Sequence, residues 1–188
     1  MKIGVALSGG GIRGIAHAGA LKAFEENGIN IDIIGGTSSG SLVAVLYAMG
    51  YTPYYIYMLF KRYAQELITV DTTPIINTVS SFITNKKNQV YGFNTGEAIE
   101  KAYNEIAKRK GIKYISDIKM PIAIPAVDVK TSKEYVFTNN KSKSRYISDI
   151  PVGTAVRASS SFPGVFCPCI YKEYTLLDGG ILDNIPVN

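Results

Sequence analysis

Histidine occurs once, at His17, and cysteine twice, at Cys167 and Cys169. Two thiols cannot make a disulfide scaffold or a four-ligand zinc cluster. One imidazole cannot make a histidine-rich metal site, and any Ser-His-Asp triad would depend wholly on His17. Charge is sparse as well: 19% of residues are charged and 46% hydrophobic. That is the balance of a chain with a core, not of a disordered tail. Long apolar runs are also missing. The uncharged stretch from Ile33 to Phe60 is broken by Gly35, Gly36, Ser38, Ser39, Gly40, Gly50 and Pro53. Its densest part, Leu42 to Met49, is far short of the roughly 20 residues a spanning helix needs. The apolar start before Ser8 is short and no small-residue cleavage site follows, so it does not read as a signal peptide. The expectation is a cytoplasmic protein with reduced thiols, at most peripheral to a membrane. Signal-independent secretion is left open.

At 188 residues, with no internal repeat, low-complexity stretch or linker, the chain reads as a single domain over 1–188. Twenty Lys+Arg against fifteen Asp+Glu give a net charge of +5. This mild basic bias suits an anionic membrane surface or substrate, though ordinary soluble domains carry as much. No nucleic-acid-binding module is present, and nothing indicates an oligomeric state.

Eleven of the eighteen glycines fall in the first fifty residues, so tight turns and close backbone approaches concentrate there. Residues 2–8 read as a buried strand, followed by Gly9 to Gly14 and a helix stopped at Gly28. Residues 30–35 read as a second strand, followed by GTSSGS and a buried helix ending at Gly50. Strand, glycine loop, helix, strand, sharp turn, helix is the order of an α/β layer with a parallel sheet. Further on, Pro53 opens a helix. Another is expected over 94–109, capped by Asn94 or Thr95 with Glu97 near N3. Residues 121–129 form a strand in which Pro125 marks an edge or a bulge, with 134–138 as its hairpin partner. Residues 152–159 form a short helix, and 175–180 a strand ending in a glycine turn.

Gly36-Thr37-Ser38-Ser39-Gly40 fits G-x-S-x-G between a strand and a helix, the context of a nucleophile elbow. The turn is so sharp that residues two before and two after the serine must be small, and Gly36 and Gly40 meet that need. Ser38 Oγ would stand at a helix N-terminus, where partial positive charge favours a developing anion. The competing reading is a serine-rich N-cap with incidental glycines. Gly9-Gly10-Gly11-Ile12-Arg13-Gly14 leaves backbone N–H groups uncovered, a nest for an anion or oxyanion. It also satisfies G-x-G-x-x-G, but Asp32 lies at the start of the second strand rather than its end, which counts against a dinucleotide. No P-loop lysine follows either. If the two strands are parallel, both glycine turns share one sheet edge, and the nest faces Ser38.

That constellation still needs a base. His17, between Ala16 and Ala18 on a helix, reads as a packed helix histidine. Asp178, in Asp178-Gly179-Gly180, ends an apolar strand at a sheet edge and is the better candidate, though a D-G-G β-turn is the readier reading of that pattern alone. Desolvation or a hydrogen bond from Ser38 would have to tune so weak a base.

Taken in order, GGGIRG, GTSSG and DGG resemble the motifs of the patatin-like phospholipase family. Ala158 to Pro168 resembles its A-S-x-A-x-P-x-x-F-x-P block, with Ser161 where alanine is usual. Asp183-Asn184-Ile185-Pro186 resembles its D-N-x-P stretch. The resemblance implies a three-layer α/β sandwich with a mainly parallel central sheet flanked by helices. It implies a Ser-Asp dyad, Ser38 as nucleophile and Asp178 as base, with an oxyanion hole in Gly9 to Gly14, chiefly Gly10 and Gly11. The resemblance implies no catalytic histidine, and no metal or cofactor is expected. Arg13 occupies its basic position, suited to shaping the loop or meeting a lipid phosphate. The implied activity is a phospholipase A-type lipid acyl hydrolase acting through an acyl-enzyme on a phospholipid or other fatty-acyl ester, with transient membrane contact. A catalytically silent lipid-binding module is the alternative. Family members usually continue past the point where this chain stops, which leaves a C-terminal truncation open.

Two weaker features remain. Tyr47, Tyr51, Tyr54, Tyr55, Tyr57 and Tyr63 crowd together with Met58, Leu59 and Phe60, ahead of Lys61 and Arg62. They suit an interfacial lid, an acyl pocket or ordinary packing equally. Lys130, Lys133, Lys141, Lys143 and Arg145 against Glu134 read as a solvated hairpin, with an anionic-lipid contact as the alternative. Cys167 and Cys169 read as structural.

Overall fold

The computed structural model describes residues 2–68, 95–140 and 144–187. Strand β1 (Gly4–Leu7) runs through a 3-10 turn (Gly11–Ile15) into α1 (Ala16–Glu26). Strand β2 (Ile33–Gly36) turns sharply into α2 (Ser39–Ala48), and α3 (Pro53–Ile68) follows. Then come α4 (Glu97–Lys108), the hairpin β3 (Ile122–Asp128) and β4 (Lys133–Thr138), and β5 (Tyr146–Ile147). Helix α5 (Val152–Ser159), β6 (Cys169–Tyr171) and β7 (Tyr174–Asp178) complete the order, and a 3-10 turn (Gly179–Ile181) closes β7.

β1, β2 and β3 are parallel neighbours, and β5 lies parallel to β4. The register Leu7↔Gly36 puts the two glycine loops side by side at one end of the sheet, as the parallel reading required. β4 pairs antiparallel along one edge of β3. The other edge of β3 is shared. β2 takes Ile122 and Ala123, and β7, running the opposite way, takes Ala126 to Asp128. The ends of β2 and β7 therefore approach each other head-on across the middle of β3. This juxtaposition brings Ser38 and Asp178 to the same place.

Pro125 was expected at an edge or a bulge, but β3 is an interior strand. The proline lies in the gap between the β2 and β7 registers, with its carbonyl oxygen against Gly179. The N and O of a strand residue face the same edge, so the missing N–H falls where no ladder partner needs it. A methyl at Gly179 would collide with that carbonyl, so glycine is required for the turn to sit on β3.

Helix α2 is apolar all round because it is covered all round: Val43, Ala44, Val45 and Leu46 are fully buried. It lies on β1, β2 and β3, with α1 and α3 stacked against it, while α4 stacks on α5, which lies on β3, β6 and β7. Ile34, Ile56, Ile124, Phe137, Ile150 and Leu176 fill the space between. Each such side chain gains ~2 kcal/mol on burial before its ordering entropy is counted.

The start of α4 differs from expectation. Its cap is Gly96, at φ 71°, and Glu97 is the first helical residue rather than the third. Thr95 Oγ1 accepts only a long 3.4 Å bond from the Glu97 N–H, and Asn94 lies outside the described residues. Packing decides the entry: Arg157 of α5 closes over Gly96 and pairs with Glu100 at 2.8 Å. On α3, Tyr54, Tyr57 and Met58 are exposed while Ile56 is buried. Tyr51 stacks on Tyr55 and its hydroxyl donates to the Ile106 carbonyl. The Tyr63 side chain, Lys141 and Lys143 lie outside the described residues.

Candidate active site

Ser38 sits between β2 and α2 with φ 54° and ψ −124°, a conformation that costs a non-glycine residue about 1–3 kcal/mol. Methyl groups at Gly36 and Gly40 would strike the carbonyls of Gly40 and Leu7, respectively. These are the small neighbours that the elbow demands. Ser38 occupies the N-cap position of α2, yet its hydroxyl makes no capping bond, which removes the N-cap reading. The turn is held instead by its other groups. The Thr37 N–H donates to Leu7 O at 3.0 Å, Thr37 Oγ1 to Asp183 O at 2.9 Å, the Ser38 N–H to Ser159 Oγ at 3.2 Å, and Ser41 Oγ to Ser38 O at 2.6 Å.

Asp178 ends β7 and is 1% exposed. Its N–H donates to Ser161 O at 3.0 Å, and its Oδ1 accepts from the Gly180 N–H at 2.8 Å. Oδ2 has no hydrogen-bond partner among the described residues. Burial pushes the carboxyl above the ordinary carboxylate range, and the Ser38 hydroxyl and Gly180 N–H pull it partly back.

The glycine loop divides its N–H groups. That of Gly9 is taken by Asn184, at 3.3 Å to the backbone oxygen and 3.2 Å to Oδ1. That of Arg13 is taken by Gly10 O at 3.2 Å. Gly14 is buried, with space for a methyl only 2.6 Å from Ser39 Cβ. Those of Gly10 and Gly11 have no bonding partner among the described residues, and both glycines line the cavity that holds Ser38. Ile12 lines the cavity as well and its N–H also has no bonding partner among the described residues, so within Gly9 to Gly14 the N–H groups of Gly9 and Arg13 are spent and those of Gly10, Gly11 and Ile12 are not. Arg13 adds an exposed cation at the cavity.

The cavity measures about 690 Å³. Ser38, Asp178, Gly180 and Asn184 meet at one part of it, and Leu42, Phe60, Ile99, Tyr103 and Phe166 give an apolar remainder. His17 lies apart on α1, half-buried, with Nε2 2.9 Å from Ser8 O; it is a packed helix histidine. Cys167 and Cys169 are free thiols, and burial pushes Cys169 up to about 11, where it is inert.

Sequence reasoning passed over two contributors. Ser159 and Asn184 enter it only as letters in motif blocks, although each bonds directly to a loop of the site. The signal for Asn184 was its place six residues after Asp178, across a glycine turn that folds the chain back.

The sequence model of patatin-like phospholipases matches residues 5–188. The chain belongs to that family. It is 35% identical over 188 residues to a lysophospholipase NTE1 of Meyerozyma guilliermondii, and 34% identical to that of Candida albicans. The match covers 99% of this chain but only 11% and 12% of those proteins. A Bacillus subtilis protein, YqhO, is 33% identical over 199 residues, spanning all of this chain and 66% of its own length. Among solved structures, VipD of Legionella pneumophila superposes with a TM-score of 0.57 at 16% identity, over 98% of this chain and 47% of VipD. ExoU of Pseudomonas aeruginosa, in complex with SpcU, superposes with a TM-score of 0.53 at 24% identity, over 88% of this chain and 37% of that one. These two likenesses establish the shared fold: a mostly parallel central sheet flanked by helices.

Proposed function

We propose that this chain is a lipid acyl hydrolase whose nucleophile is Ser38 and whose base is Asp178. The observation that carries the reading is the strained Ser38, with its hydroxyl uncapped, meeting a buried, half-satisfied carboxylate beside an apolar cavity. Its fungal relatives are named lysophospholipases, which supports a fatty-acyl ester as substrate.

In this reading, Ser38 Oγ attacks the ester carbonyl as its proton passes to Asp178. The N–H groups of Gly10 and Gly11 donate to the oxyanion, and losing one such donor typically costs about 10²–10³-fold in rate. Asp178 returns the proton to the leaving alcohol, and the acyl-enzyme forms. Water then attacks the acyl carbonyl, its proton goes to Asp178, and the acid departs as Ser38 recovers a proton. The raised carboxyl suits both directions of transfer better than an ordinary aspartate would.

The acyl chain would lie along Leu42, Phe60, Ile99 and Phe166. Ile12, Phe162 and Val165, exposed at 52%, 55% and 49%, rim the same cavity beside Arg13. An apolar rim with an adjacent cation fits transient docking on a phospholipid surface. No helix of the described residues is long and apolar enough to cross a membrane, so the contact we propose is peripheral.

Hydrolysis of a chromogenic long-chain ester tests the assignment. Ser38→Ala and Asp178→Asn are each expected to lose at least ~10⁴-fold in kcat while keeping the wild-type circular dichroism. Undiminished turnover by the Ser38→Ala protein would reject it.

A further inference from the structure

We infer that Asn184 is a positioning residue that holds the oxyanion loop against the base turn. The inference rests on the Ser38–Asp178 reading and extends it to a residue outside the dyad. Four contacts tie the segment after β7 across the site. The Asp183 N–H donates to Gly179 O at 2.9 Å, which folds the segment back over the base turn. The Asp183 carbonyl accepts from Thr37 Oγ1 of the elbow at 2.9 Å. Asn184 then accepts the Gly9 N–H twice, on its backbone oxygen and on Oδ1.

The close approaches make the same point sterically. A methyl at Gly9 would lie 2.7 Å from Asn184 Oδ1 and 3.0 Å from Ser38 Cβ, and one at Gly180 would lie 3.1 Å from the same Oδ1. Oδ1 is therefore wedged between the loop that supplies the donors and the turn that supplies the base. With Gly9 anchored, the loop is fixed beside Ser38, and Gly10 and Gly11, whose N–H groups have no bonding partner among the described residues, line the cavity there. A backbone donor misplaced by about 1 Å can cost ~10²-fold in rate. An anchor on the preceding residue therefore acts on transition-state stabilisation without touching substrate.

The prediction concerns kcat per active site, with sites counted by exhaustive titration with a fluorophosphonate. Asn184→Leu keeps the branched heavy-atom shape and removes the side-chain acceptor, leaving the backbone one. It is expected to lower kcat per titrated site by ~30- to 300-fold with KM changed less than ~3-fold. Asn184→Asp keeps an acceptor at the same place and is expected to retain kcat within ~10-fold. Its added negative charge, close to Asp178, moves the acid limb of the pH profile upward. Wild-type kcat per site in Asn184→Leu would overturn the inference, because an Asn needed only for folding changes the number of sites and not their rate. Equal losses in Asn184→Leu and Asn184→Asp would overturn it too. If Asn184→Leu does not fold, Asn184→Ala carries the same comparison. Failure of the underlying reading is separable: it shows as Ser38→Ala that still turns over, whatever the Asn184 variants do.

Discussion

The two glycine loops of the site use the same residue for opposite reasons. In the elbow, glycine is required because there is no room. Backbone carbonyls of Gly40 and Leu7 occupy the space where side chains would begin at Gly36 and Gly40. In the other loop, Gly11 has open space around it and a φ of +57°, and Gly10 meets only Arg13 Cβ, at 3.9 Å. At these two positions glycine supplies a backbone conformation and uncovered N–H groups, not clearance, whereas Gly9 and Gly14 of the same loop are crowded by Asn184 and Ser39. The elbow is crowded on both sides of its serine, while the other loop is open only at Gly10 and Gly11, which line the cavity. A glycine-rich sequence thus encodes either a steric or an electrostatic device, and only the surrounding strands tell which.

Substitution should split the two loops. Gly40→Ala is expected to destabilise the fold by about 3 kcal/mol or more, since backbone and not a flexible side chain must move. Gly11→Ala is expected to cost about 1 kcal/mol, from its positive φ alone, while hydrolysis falls by at least ~10-fold as the exposed amide is displaced. Urea unfolding, run beside the ester assay, measures both. Similar stability losses at the two positions would erase the distinction.

A smaller effect sharpens the contrast between the hydroxyl and the carboxyl. The Asp178 carboxyl is raised in the folded protein, so the folded state binds its proton more tightly than the unfolded chain. Its contribution to stability is present below the ordinary carboxylate value and lost as pH rises through the folded one. At neutral pH the ionised group is therefore a cost. Asp178→Asn is expected to melt above wild type at pH 7, and the advantage should vanish in acid below about 3.9. In the proposed mechanism catalysis runs the other way, since Asp178 would act as an ionised base, and activity is expected to fall as pH drops through that raised value. A variant less stable than wild type at pH 7 would mean that the carboxylate is better solvated than its burial implies.

Much of this was legible in the residues. Gly36 and Gly40 announce the elbow because no other residue fits there, and the parallel placement of the two glycine loops follows from strand-helix-strand order. Helix 152–159 was read to the residue, since α5 runs Val152–Ser159. What the sequence did not disclose depends on partners distant along the chain. Pro125 looks like an edge marker until β2 and β7 are seen to share one side of β3. The cap of α4 is set by Arg157, sixty-one residues after Gly96. Within the Gly9–Gly14 loop, the Gly9 N–H is taken by Asn184, 175 residues away. Local pattern names the loops, and tertiary contacts decide which of their atoms are free to act.

The most direct measurement is the location of covalent modification. A long-chain fluorophosphonate, followed by peptide mass spectrometry, is expected to place one adduct on Ser38, with none formed in the Ser38→Ala protein. An adduct on another residue, or ester hydrolysis that persists while Ser38 stays unlabelled, would contradict the account.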